Sequence, residues 1–403
     1  MISAHEAQCL ILEHTLRLEF EEIPLSESLH RNLAGSLSAP IALPPFDNSA
    51  MDGFAVQSND TREASEKNPL SLKVIGTTAA GDTPLKIAPG EAVRIMTGAP
   101  IPQGADAVIP FEEIVSLHIV VPVLSGAHIR RAGEDVSKAS EIFGAGEKMT
   151  PRTIALLAAL GISKVSVFKK PTVRILSTGS ELVEPGQSLS SGKIYNSNGP
   201  ALEATLREFG IEAQTMGVAV DTEDSLKKGL ILEDTDVLIT IGGVSAGDFD
   251  LVPKVLKDLG AKIIFHKVAI KPGKPLLYAT LKSNGKSPRH IFALPGNPVS
   301  ALVVFDRFVR PALLKMMGEK NLFKRRQEAG VEGSLKGSNG KEDYLRGIVE
   351  TKNGRWVARS AGPQGSAQLL TLAHANAILF LPETVSSLKE GDSVSFEFFE
   401  DVL

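Results

Sequence analysis

Acidic and basic side chains recur among glycines and prolines in a few short stretches of this chain, a mixture suited to phosphates, oxyanions and hard cations. Glu181 closes Thr178-Gly-Ser-Glu181, Asp221 follows the apolar Val218-Ala-Val220, and Asp248 and Asp250 end the run Gly242-Gly-Val-Ser-Ala-Gly-Asp-Phe-Asp250. Lys267 precedes the rigid corner Lys271-Pro-Gly-Lys274, and Pro295-Gly-Asn-Pro298 follows further on. A few carboxylates suit Mg2+, which keeps part of its shell for water and substrate phosphate. Lysines and exposed backbone N–H groups suit an anion. Taken singly, each residue has a plainer explanation. Asp250 and Asp221 can each cap a following helix, and lysines are ordinary on surfaces. A site requires that the fold gather them at one edge.

The stretch 236–250 shows how it can. Residues 237–241 are an apolar, β-branched run of the kind that fills a buried parallel strand. The chain then turns through Gly242, Gly243 and Gly247, and a helical pattern follows with Val252, Val255, Leu256 and Leu259 on one face and Pro253 in its first turn. Strand, glycine loop and helix start make a cradle of N–H groups for an anion. A rival reading uses the same residues. Gly243-Val244-Ser245-Ala246-Gly247 matches the nucleophile elbow of α/β-hydrolases, Gly-x-Ser-x-Gly, in the right strand-to-helix context. Against it, His266, His290 and His374 are poorly placed for a late triad histidine, and no His-Gly-Gly segment precedes.

Apolar strands at 173–177, 218–220, 237–241, 262–265, 276–279 and 291–294 alternate with helical patterns at 201–209, 223–232, 251–259 and 299–317. That alternation predicts an α/β domain over 171–320 with a mainly parallel sheet, whose strand ends carry all the loops above. Residues 46–140 hold short apolar stretches between Gly/Pro turns and read as an inserted β-rich domain. They contain Phe46-Asp-Asn-Ser-Ala-Met-Asp-Gly-Phe54 and Met96-Thr-Gly-Ala-Pro100, which offer little to bury. Residues 1–45 and 141–170 flank the insertion as a linking domain, opening with the capping box Ser3-Ala-His-Glu6. Residues 324–403 read as a small all-β domain.

The composition narrows the function. The chain has 403 residues, 43% of them hydrophobic, with 36 Gly and 24 Pro, which fits several domains with sizeable cores. Lys+Arg number 43 against 47 Asp+Glu, with 5% aromatics, so neither nucleic acid nor a membrane surface is an expected partner. The single Cys9 excludes internal disulfides and cysteine metal clusters and points to a cytoplasmic setting. No Walker motif and no paired histidine spacing occurs.

Six motifs occur in order: 46–54, Thr97-Gly-Ala, Ser177-Thr-Gly-Ser-Glu-Leu182, 242–250, Lys271-Pro-Gly-Lys-Pro275 and Leu294-Pro-Gly-Asn-Pro-Val-Ser300. Together they resemble the molybdopterin molybdenumtransferases, the MoeA proteins and the related gephyrin E domain. The resemblance covers nearly the whole chain. It implies a multidomain α/β plus β fold, with a parallel-sheet α/β molybdopterin-binding domain, an inserted β-rich domain and a small C-terminal β-barrel, assembled as an elongated homodimer. It implies insertion of molybdate into adenylylated molybdopterin with Mg2+ and release of AMP, with a molybdopterin adenylyltransferase as a partner. By matching position, Asp52, Thr97, Glu181, Asp221 and Asp250 take the catalytic roles, and Glu181, Asp221 and Asp250 the metal. Gly243, Ser245, Gly247, Lys267, Lys271, Lys274, Pro295, Pro298, Arg346 and Ser366 take substrate-binding roles. The dimer it implies sets Asp52 and Thr97 of one subunit against the strand ends of the other. Two alternatives stand beside the transferase: a non-catalytic molybdopterin-binding or anchoring module, and an adenylyltransferase acting on the same pterin.

Overall fold

The computed structural model describes residues 1–71, 73–115, 118–230, 234–244, 251–283 and 286–399. Ser245, Gly247, Asp248 and Asp250 lie outside the described residues. The alternating apolar segments form a six-stranded sheet in the order Ala213–Ala219, Val173–Thr178, Val237–Ile241, Lys286–Leu294, Leu277–Ser283, Lys262–His266. The first four are parallel neighbours. Leu277–Ser283 runs antiparallel to both its neighbours. That reversal follows from chain length, since the two residues between Ser283 and Lys286 are too few for the crossover a parallel pair needs.

Val237–Ile241 is buried along its whole length and feeds both faces of the sheet. Val237, Ile239 and Ile241 join Leu202, Leu206 and Val299 in one core, while Leu238 joins Leu226, Val252 and Val255 in the other. The period-two alternation of a strand is thus read out as two apolar layers, each closed by helices. The last helical run is continuous from Pro298 to Met316, with a π turn at Phe305–Val309.

Ser3 caps the first helix, Ala4–His14, by accepting the Glu6 N–H. That helix lays Ala4, Ala7 and Ile11 on the α/β core. It packs with the α/β body, although by sequence it falls in the 1–45 linking segment. The linking core itself is made by Ile23, Leu25 and Leu33 against Met149, Leu157, Val165 and Val167, with Phe20–Pro24 and Lys164–Phe168 paired antiparallel. In the inserted domain, Gly53–Val56 lies between Glu91–Ile95 and Ala107–Pro110. A Cβ at Gly53 would stand 2.0 Å from the Ile109 carbonyl oxygen, so only glycine fits where the Asp52 loop enters the sheet.

Strands Gln327–Val331, Glu342–Lys352, Arg355–Ser360, Ala377–Leu381 and Ser393–Phe398 close into a five-stranded barrel. The short strand Ile270–Lys271 of the α/β domain pairs in parallel with Glu342 and Asp343 of that barrel. Among the described residues no helix is long and apolar enough to cross a membrane.

One buried polar pair ties the sheet to the N-terminal helix. The Tyr278 hydroxyl lies 2.8 Å from His290 Nδ1, and His14 meets the Tyr278 ring edge-on. Burial first, then His14, pushes the His290 imidazole down from 6.5 to about 4, so the folded chain holds it neutral. The unfolded chain protonates the same ring near its ordinary pH of 6.5. Its contribution to stability is therefore present above that pH and is lost as pH falls toward 4, on the order of 3 kcal/mol in all. His290→Gln should lose stability less steeply than the parent between pH 6.5 and 4, as measured by urea unfolding. Parallel curves would show that this histidine does not carry the acid sensitivity.

Candidate active site

The strand ends meet at one edge, and backbone forms its middle. Gly242 has φ +96°, and a Cβ there would stand 2.6 Å from the Thr178 carbonyl oxygen and 2.8 Å from its hydroxyl. Gly243 follows at φ +62°. Gly296 comes close on the other side, at 3.7 Å from a Cβ placed there to the Gly242 Cα, and the Asn198 amide donates to the Gly296 carbonyl at 2.7 Å. Pro295 is buried beside it. Asn297 occupies the N-cap position of Pro298–Val304 without making a side-chain capping bond, and Pro298 stands in the first turn.

On one flank sit the carboxylates. Asp221 Oδ2 accepts the Ser180 N–H at 3.0 Å, and Ser180 Oγ accepts the Asp221 N–H at 3.3 Å. The reciprocal pair locks the two loops together. Asp221 does not cap the next helix as its position suggested, because Thr222 Oγ1 takes the Ser225 N–H instead. The Glu181 carboxylate folds over Gly179, 2.7 Å from where a Cβ would be. Lys193 donates its ammonium to the carbonyl of Ser180, the residue before Glu181. Neither Lys193 nor Asn198 stood out in the sequence; the Ile194-Tyr-Asn-Ser-Asn198 segment that brings them reads as a plain polar loop.

On the other flank sit the lysines. Lys267, at φ +74°, is half-buried, and Lys271 and Lys274 are exposed. Among the described residues none of the three forms an ion pair. Lys271 donates to Ser338 Oγ of the barrel at 2.9 Å. His266, set aside above as a triad member, bonds the Val244 carbonyl at 2.9 Å and so fastens this flank to the glycine loop.

Arg346 is fully buried, and its guanidinium donates to the carbonyls of Pro363, Gln364 and Gly365. It braces a loop whose next residue, Ser366, accepts the Val299 N–H at 3.1 Å through its backbone carbonyl. The structure thus gives Arg346 a bracing part and brings Ser366 to the helix that begins at Pro298. A cleft of about 910 Å3 lies elsewhere, among Phe209, Arg307, Arg310, Phe323 and Leu372, and none of the sequence-derived site residues lines it.

Asp52 and Thr97 pair with each other in the inserted domain. Asp52 Oδ1 accepts the Thr97 N–H at 2.7 Å and the Thr97 hydroxyl at 2.8 Å. Those bonds, the backbone one first, hold the Asp52 carboxyl below the usual carboxylate range. Among the described residues no hydrogen bond or ion pair joins either residue to the strand-end loops of the same chain. Thr97→Val keeps the N–H and removes the hydroxyl. Its Asp52 should titrate above the parent's but still below an ordinary aspartate, as read by carboxyl-carbon NMR; an unchanged titration would remove the hydroxyl from the account.

Known proteins resemble this chain along nearly its whole length. Residues 2–161 match the family model described as "MoeA N-terminal region (domain I and II)", residues 174–315 "Probable molybdopterin binding domain", and residues 328–399 "MoeA C-terminal region (domain IV)". Molybdopterin molybdenumtransferase 2 of Mycobacterium tuberculosis is 37% identical, over 97% of this chain and 98% of that protein. The molybdopterin molybdenumtransferase of Haemophilus influenzae is 35% identical over 100% of both. The crystal structure of the molybdopterin biosynthesis MoeA protein from Pyrococcus horikosii superposes with a TM-score of 0.83 at 35% identity, covering 100% of both chains. With three family models in order and relatives matched end to end, the chain belongs to the MoeA family, the molybdopterin molybdenumtransferases of molybdenum cofactor biosynthesis.

Proposed function

We propose that this protein inserts molybdate into adenylylated molybdopterin in a Mg2+-dependent reaction that releases AMP, acting as a homodimer in the cytoplasm. The observation that carries this reading is the sorting of charge along the strand-end edge. Glu181 and Asp221 follow the strands Val173–Thr178 and Ala213–Ala219 at one end of the sheet order, and the three lysines flank Lys262–His266 and Leu277–Ser283 at the other. Three strand spacings separate Val173–Thr178 from Leu277–Ser283, about 14 Å. A substrate with a diphosphate at one end and a metal-accepting dithiolene at the other needs such a divided site.

Glu181 and Asp221 are hard-oxygen donors on loops locked to each other, a donor set that fits Mg2+, with Asp250 as the further ligand. Bound there, the ion would neutralise the diphosphate. Lys193 adds a positive charge at that flank, while Gly243 and Gly296 put residues without side chains in the middle, where backbone N–H groups can serve an anion. Lys267, Lys271 and Lys274 hold the molybdate dianion, each as a point charge. Asp52 and Thr97, fixed to each other, enter from the second subunit, so that a two-fold dimer carries two equivalent composite sites. The adenylylated pterin must come from an adenylyltransferase, the partner we assign.

AMP release from adenylylated molybdopterin, molybdate and Mg2+ tests the reading; no release by pure protein would leave a binding module. Asp221→Asn should raise the Mg2+ needed for half-maximal rate, and Lys271→Ala should instead raise the molybdate needed. Loss of both dependences in either variant would refute the division of the site. The dimer has its own test. Asp52→Ala and Asp221→Ala, each inactive alone, should recover roughly a quarter of parent activity when co-refolded, since random mixing gives about half mixed dimers with one intact site each. No recovery in dimers confirmed as mixed by mass would place Asp52 in its own subunit's site or outside it.

A further inference from the structure

The lysine flank is held from outside its own domain. Lys271 donates to Ser338 Oγ at 2.9 Å, and the same hydroxyl lies 3.2 Å from Asp343 Oδ1. Asp343 Oδ2 accepts the Ser338 N–H at 2.6 Å, and Asp343 is 1% exposed. A serine hydroxyl has one proton and two lone pairs. With its proton directed to Asp343, a lone pair is turned toward the Lys271 ammonium, which keeps two further N–H donors for a ligand.

The support is rigid. A Cβ at Gly337 would stand 2.3 Å from the Val385 carbonyl oxygen, and the Gly337 and Gly340 N–H groups donate to Ser386 and Glu383 at 2.9 and 3.0 Å. Ile270 and Lys271 pair with Glu342 and Asp343, so lysine and carboxylate are also tied through backbone. A lysine on a flexible stem loses much rotamer freedom on binding an anion, and an anchor that has already removed it favours binding.

We propose that Ser338 and Asp343 of the C-terminal barrel are positioning residues that set the Lys271 ammonium for the oxyanion, an inference that rests on the oxyanion role given to Lys271 above. Molybdate itself is the probe, by titration calorimetry and by its concentration dependence in the AMP-release assay. Ser338→Ala should weaken molybdate binding roughly tenfold and raise the half-saturating concentration more than it lowers the maximal rate. Ser338→Thr, which keeps the hydroxyl, should bind as the parent does. In a Lys271→Ala background, Ser338→Ala should cause no further loss. If Lys271→Ala weakens binding but Ser338→Ala does not, the positioning role falls and the Lys271 reading stands. Additive losses in the double variant overturn it too, because Ser338 would then act without Lys271. Unchanged binding in Lys271→Ala overturns the Lys271 reading and the positioning role together.

Discussion

The strand-end edge depends on one close approach, that of Gly242 to Thr178. The chain leaves the central strand 2.6 Å, measured from a Cβ that is not there, from the Thr178 carbonyl oxygen, while the Gly242 N–H still pairs with Leu294. Any side chain at this position would have to push two buried parallel strands apart, in a core with no slack. The consequence reaches beyond one residue. Where Gly242, Gly296 and Thr178 converge the contact is made largely by backbone, and among the described residues Glu181 and Asp221 stand to one side and the three lysines to the other.

The flanks are then fixed by parts of the chain far away in sequence. Lys267 takes a left-handed backbone, an uncommon state for a residue with a Cβ. It is held there by the N-terminus, since Ile2 donates to the Lys267 carbonyl and accepts from the Ala269 N–H. The barrel holds Lys271 through Ser338 and the neighbouring helix start through Ser366. Buried Arg346 belongs to the same logic. Three of its donors satisfy carbonyls of the 363–365 loop, as a desolvated guanidinium requires. The N-terminal segment and the C-terminal barrel therefore both brace the basic flank.

Much of this was legible in the sequence, for a definite reason. The apolar strands, the glycine turns and the charged residues just past them are local patterns, and the rule that ligands meet strand carboxyl ends converts them into a site. What was not legible depends on pairings between distant segments. Nothing local to Lys271 announces Asp343, because their link is a parallel pairing of two short strands in different domains. Nothing in Asp221-Thr-Glu-Asp224 decides between a capping aspartate and a capping threonine; the proximity of Ser180 decides it. The helix Ala4–His14 shows an apolar face without showing which core that face joins. Lys193 and Asn198 were missed because one stands just before a two-residue strand and the other at a helix start, elements too short or too terminal to show a period.

The separation of charge along the edge also accounts for why, among the described residues, Glu181 and Asp221 form no ion pair with Lys267, Lys271 or Lys274. Carboxylates and lysines within contact distance would pair, and each would have to be stripped of its partner before binding a ligand. Here the strand before Glu181 and the strand after Lys274 stand three spacings apart, about 14 Å, against the roughly 8 Å over which exposed charges act at physiological ionic strength. Lys193 bonds the carbonyl of Ser180, the residue whose N–H and hydroxyl lock the Asp221 loop. In the function proposed above, the acidic flank serves a cation and the basic one an anion. The sheet order sets that spacing, and the glycine crossing at Gly242 brings the strand ends together between the two flanks.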